Sequence, residues 1–121
     1  MKASPLFFLL FLVLTFANQT HSHAVVTESS LSVNSVPPGQ ESQVKLTFNS
    51  KVELSLSQVI LVSAGDEKLS LRTKPSGKPG HIVISLPALS PGEYALQLKV
   101  FAADGHLSED LIRFIVTEKN R

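Results

Sequence analysis

Val44-Lys45-Leu46-Thr47-Phe48 alternates apolar with polar residues, the period-two pattern of a strand with one dry face and one wet face. Asn49-Ser50 ends it. Downstream, Leu54-Ser55-Leu56-Ser57 alternates and runs into Val59-Ile60-Leu61-Val62, apolar throughout and suited to a more deeply buried strand. Gly65-Asp66 then turns the chain into Lys68-Leu69-Ser70-Leu71-Arg72. The strongest loop signal is Pro75-Ser76-Gly77-Lys78-Pro79-Gly80, because proline fixes φ and glycine takes turn conformations that other residues resist. His81-Ile82-Val83-Ile84-Ser85-Leu86 resumes as strand, Leu89-Ser90-Pro91-Gly92 turns, and Tyr94 to Phe101 alternates again. Asp104-Gly105-His106 interrupts the pattern before Leu111-Ile112-Arg113-Phe114-Ile115-Val116 closes the chain. Short strands at regular spacing, with no stretch of helical period among them, predict an all-β fold: an antiparallel, immunoglobulin-like Greek-key β-sandwich of about seven strands.

Toward the N-terminus the character changes. Lys2 precedes an apolar run from Leu6 to Phe16 and then the polar stretch Asn18-Gln19-Thr20-His21-Ser22, the charge, apolar, polar order of a secretory signal. The run is about half the ~20 residues that a membrane-spanning helix needs, so the mature protein is expected not to be membrane-embedded. Small residues at Thr20 and Ser22 suit cleavage after residue 22, which divides the chain into a signal peptide, 1–22, and a domain, 23–121, beginning at His23. Thr15 and Ala17 also fit by size, and that cut leaves Asn18 first.

Cleavage after Ser22 removes Lys2 and leaves ten Lys plus Arg against ten Asp plus Glu, with no charge bias that would recruit nucleic acid or an acidic membrane. The chain has no cysteine, which rules out thiolate copper(I) sites, zinc ribbons and cysteine nucleophiles. Any metal must be held by nitrogen and oxygen.

Three histidines follow the cut: His23, His81 and His106. A histidine at position one offers its free α-amine and its imidazole Nδ1 to one metal in a chelate ring, and a second imidazole completes three nitrogens in a T, a histidine brace. Copper(II) favours such tetragonal nitrogen and oxygen ligation. A carboxylate close to the second histidine can take a further position, and Asp104 stands two residues before His106. Each feature alone has a plainer reading. Asp-Gly-His between strands commonly makes a tight turn, and His81 beside the Pro-Gly loop reads as an exposed strand-end residue that becomes an extra ligand only if the loop folds over the site. Glu109 and Asp110 read as a solvated turn that can lower the potential toward a cation. No Gly-x-Ser-x-Gly or ordered Ser-His-Asp set is present.

The mature chain resembles the CopC-type periplasmic copper-resistance proteins. That family begins with His, continues through a short strand and a Ser-Ser pair, and reaches a Pro-containing turn before a strand ending in Phe-Ser. Here His23-Ala24-Val25-Val26, Ser29-Ser30, Pro37-Pro38 and Val44 to Asn49 fall at similar intervals. The later family pattern, Pro-Gly-x-Tyr-x-Val, Asp-Gly-His and Phe-x-Val, is matched by Pro91-Gly92-Glu93-Tyr94-Ala95-Leu96, Asp104-Gly105-His106 and Phe114-Ile115-Val116. The resemblance implies one copper(II) ion on His23, Asp104 and His106, a periplasmic location, and a carrier or buffer role with possible delivery to an inner-membrane importer of the CopD type. A monomer and no catalytic residues are expected. There are departures. Leu31-Ser32 stands where the family has Ser-x-Pro, Leu98 where it has a Trp, Ala103 where it has the Ser before Asp-Gly-His, and Asp110 where it has a Gly. The mature chain also lacks the methionines of the family's copper(I) sites. Two rivals follow from the same residues: a histidine-brace copper monooxygenase, and a metal-free immunoglobulin-like interaction domain in which Asp104-Gly105-His106 is only a turn.

Overall fold

Eight strands form four antiparallel hairpins laid alternately on two facing sheets. The computed structural model describes residues 24–118. His23 and the proposed signal peptide lie outside them. β1 (Val26–Ser29) pairs with β2 (Ser42–Phe48), β3 (Gln58–Ser63) with β4 (Glu67–Ser70), β5 (Thr73–Pro75) with β6 (His81–Leu86), and β7 (Gly92–Phe101) with β8 (Leu107–Val116). Pairing between hairpins, β2 with β6 and β3 with β7, completes two four-stranded sheets in the orders β1-β2-β6-β5 and β4-β3-β7-β8. No described helix is long and apolar enough to cross a membrane.

The expected alternation sets the core. Val44, Leu46 and Phe48 of β2 face Leu96, Leu98 and Val100 of β7 in one buried cluster with Ile82, Ile84 and Leu86 of β6, while Lys45 and Thr47 take the outer row. Among the described residues no polar or charged residue is buried. The core is therefore held by apolar burial, worth about 25 cal/mol per Å². Ser29 and Ser30 finish β1: Ser29 Oγ accepts from Leu31 N at 3.1 Å, and Ser30 Oγ accepts from Lys45 N at 2.9 Å, extending the ladder by a side chain. Tyr94 packs on Phe114 with ring centroids 5.8 Å apart and donates its hydroxyl to Ser90 O at 2.8 Å, which ties down the Pro91-Gly92 turn.

Three expectations are corrected. The run Lys68–Arg72 is not one strand, because the chain changes sheets within it: Leu71 N donates to Val59 O, and Arg72 O accepts from Ser85 N on the other sheet. That crossing yields the eighth strand. Leu54–Leu56 is a 3-10 turn, since Leu54 packs against the core while Leu56 points to solvent, and Leu56 N and Ser57 N bond back to Glu53 O and Leu54 O. Glu109 and Asp110 belong to β8, in register with Lys99 and Leu98, because the hairpin resumes pairing directly after His106.

Candidate metal centre

Asp104, Gly105 and His106 form the turn joining β7 to β8. Gly105 takes φ 90°, a left-handed conformation that a side chain resists, and the turn closes through Gly105 N to Ala102 O at 2.9 Å and Ala102 N to His106 O at 3.0 Å. Both oxygens of Asp104 then meet His106. Oδ1 accepts the His106 backbone N–H at 3.1 Å, and Oδ2 lies 3.1 Å from His106 Nδ1. The plain turn reading is thus correct as geometry, and it also builds a carboxylate–imidazole pair at the surface. The backbone bond from His106, then its ring, hold the Asp104 carboxyl below the usual carboxylate range. A carboxylate accepting from Nδ1 fixes the tautomer that carries its lone pair on Nε2, the arrangement commonly seen behind a metal-bound imidazole.

The segment from Asn49 to Glu53 links this turn to the start of the described chain. Val25 N donates to Asn49 Oδ1 at 2.8 Å, and Asn49 N returns a bond to Val25 O at 2.9 Å. Ala24 is buried beside them. Two residues beyond Asn49, Lys51 O accepts from Ala103 N at 3.0 Å, and Val52 bridges Ala102. Between them sits Ser50, whose Oγ is buried with no hydrogen-bond partner among the described residues. Gly80 presses on the same peptide: a Cβ there would lie 2.9 Å from Ser50 O and 3.0 Å from Phe48 O, so the 75–80 loop can reach this end of the sandwich only with glycine at that position. Asn49, Ser50 and Gly80 were legible in sequence only as stop and turn residues. Their joint role comes from contacts between distant segments.

His81 stands apart in chemistry. Opposite Thr47 in the β2–β6 register, it shares the outer row of its sheet, half-buried, with Nδ1 3.3 Å from Thr47 Oγ1. The exposed strand-end expectation is corrected to that extent, because the neighbouring strand covers one side of the ring. Leu98 is a core residue, 1% exposed. Among the described residues no three His, Asp or Glu side chains gather to hold a metal. Asp104 and His106 supply two donors of the expected set, and His23 lies outside the described residues.

A two-sheet sandwich with an Asp-Gly-His turn at one end defines a class of small β-proteins, and comparison with known families narrows it. The family model of the CopC domain matches residues 26–117, and the chain belongs to that family. Among solved structures, CopC from Methylosinus trichosporium OB3b superposes with a TM-score of 0.67 at 24% identity, covering 82% of this chain and 99% of that one. PcoC, a methionine-rich copper resistance protein from Escherichia coli, superposes with a TM-score of 0.59 at 20% identity, covering 79% of this chain and 100% of that one. At these identities the structural likeness speaks for the fold. No curated protein sequence matches.

Proposed function

We propose that this protein is exported to the periplasm, where it binds one copper(II) ion and carries or buffers it. In this reading His23, exposed as the N-terminus by signal cleavage, contributes its α-amine and imidazole, His106 contributes Nε2, and Asp104 leaves its contact with His106 Nδ1 to complete the set. The observation that carries the proposal is the Asp104–His106 pair, joined through residues 49–52 to the segment that anchors Ala24 and Val25. An adjacent buried hydroxyl, Ser50 Oγ, without a partner among the described residues, suits a polar site at that end. Membership of the CopC domain family supports copper as the cargo. Hand-over to a membrane importer of the CopD type is a further part of the proposal.

A binding role is favoured over oxygen activation because Asp104, as a further ligand, would fill the open coordination position that oxygen activation needs. Copper(II) titration of the processed protein, followed by electron paramagnetic resonance, tests the proposal. A tetragonal, nitrogen-rich spectrum at one ion per chain is expected. No copper(II) binding would leave the metal-free interaction domain as the better reading, and tight copper(I) binding would contradict a site without thiolate or thioether.

A further inference from the structure

The outward face of the sheet β1-β2-β6-β5 gathers cations that nothing on the face neutralises, and the strand register sets them out. Ile82, Ile84 and Leu86 of β6 enter the core, so His81, Val83 and Ser85 point outward. Lys45 of β2 and Lys74 of β5 stand opposite Val83 on either side, making the row Lys45-Val83-Lys74. In the next row Gln43 stands opposite Ser85, and Arg72 O accepts from Ser85 N at 3.0 Å, which continues the β5 register and puts Arg72 beside Lys74. With about 4.8 Å between strands and about 6.7 Å between alternate residues, the Cα atoms of the three cations lie within about 12 Å of one another.

Their neighbours leave the charges open. Val83 is 7% exposed yet lies outside the core cluster, so its cover comes from the outer face, where the stems of Lys45 and Lys74 flank it. Stems laid over Val83 hold the ammonium groups outward. Among the described residues none of Lys45, Arg72 and Lys74 has an ion pair, and what stands opposite them on β6 is valine and serine. One carboxylate shares the face, Glu28 opposite Thr47, on the edge strand farthest from Arg72 and Lys74. The other sheet differs, since there Lys99 stands opposite Glu109. The overall charge of +1, which argued against an acidic membrane, averages over this segregation.

We infer that this face docks on an anionic phospholipid bilayer, an inference that rests on the reading of the protein as exported. None of the exposed large apolar residues lies on β2, β5 or β6, so the face lacks the apolar anchors that centre a protein interface. For the same reason it has nothing to insert among lipid tails. What it offers is a sheet surface with spaced cations, which a plane of phosphate headgroups matches. Each cation at such a surface strengthens binding about fivefold, so three give about a hundredfold, from which Glu28 subtracts. Contact of that strength is reversible and weakens with salt, as suits a carrier that visits a membrane. Asp104 and His106 belong to the turn of the other sheet, so docking and copper binding are separate properties.

Co-sedimentation of the exported protein with vesicles of phosphatidylglycerol and, separately, of phosphatidylcholine tests this, with circular dichroism to verify the fold of each variant. Binding to the phosphatidylglycerol vesicles alone is expected, and it should vanish near about 0.5 M salt. K45Q/K74Q should lower partition about twentyfold and leave copper(II) affinity unchanged. K68Q/K99Q, the same change of net charge on the other sheet, should lower it less than about threefold. Docking by a protein that takes up no copper would support this inference and fail the metal site alone. No binding at low salt, equal binding to both vesicles, or equal losses in the two double variants would overturn it. Binding to polyglutamate but to neither vesicle would also overturn it, and would assign the face to an acidic protein.

Discussion

His106 and His81 ride on one small scaffold and differ chiefly in what meets Nδ1. At His106 it is a carboxylate oxygen at 3.1 Å, on a turn whose residues face solvent. At His81 it is a threonine hydroxyl at 3.3 Å, on the outer row of a ladder that half-covers the ring. A carboxylate adds negative charge and pins the tautomer, whereas a hydroxyl adds neither charge nor a fixed donor direction. Residue type alone makes the two histidines equal candidates. Their neighbours separate them.

The sharpest way to break that contrast is H106A. Removing an imidazole ligand should lower copper(II) affinity by about a hundredfold or more, beyond the ten- to hundredfold typical of losing a ligand's supporting partner. Competition titration measures it. D104N should cost about tenfold to a hundredfold, because the amide keeps the shape and loses the charge. The pH profile follows from the same pair. The Asp104 carboxyl is held below the usual range, so its charged state and the contacts that favour it are fully present above that range and are lost only as pH falls through the lowered value. Acid release of copper should therefore begin earlier, as protons compete with the metal for its nitrogen ligands. Spectra should lose nitrogen ligands below about pH 5. Release that instead tracks carboxylate titration alone would make Asp104 the principal ligand.

G80A and G77A sharpen the comparison from the scaffold side. Both glycines have φ 82°, yet only Gly80 has backbone within reach of a new Cβ. G80A should lose about 2 kcal/mol of stability and G77A about 1 kcal/mol, the difference being the clash with Ser50 and Phe48. Urea denaturation with copper titration would show whether displacing Ser50 also weakens the site. H81A should have the smallest effect, changing copper affinity by less than about twofold, since it removes a ring bonded to Thr47 and not to the Asp104 turn. A loss matching that of H106A would move the metal toward the 75–80 loop.

The sandwich was legible because alternation at Val44–Phe48, His81–Leu86 and Tyr94–Phe101 reports directly which side chains enter the core. The segment 67–75 was less legible. A chain crossing between sheets keeps strand-like composition on both sides of the crossing, and only the exchange of hydrogen-bond partners at Leu71 and Arg72 divides it. Leu54-Ser55-Leu56-Ser57 misled because alternation promises two inward leucines, whereas in the 3-10 turn only Leu54 reaches the core and Leu56 is exposed. At the site, Asp104 and His106 were readable because a local turn brings residues of that spacing together. That both Asp104 oxygens meet His106, and that Asn49, Ser50 and Gly80 connect the chain start to the turn, depends on long-range contacts that no local pattern encodes.

The N-terminus decides the central claim. Copper(II) affinity should be measured for the chain beginning at His23 and for the same chain with a single residue placed before it, under identical buffer and competitor. Loss of the free α-amine of His23 breaks the chelate ring with its imidazole, so the extended chain should bind at least about a hundredfold more weakly and its spectrum should show fewer nitrogen ligands. Equal affinity and identical spectra for the two chains would contradict a site built on the N-terminal histidine.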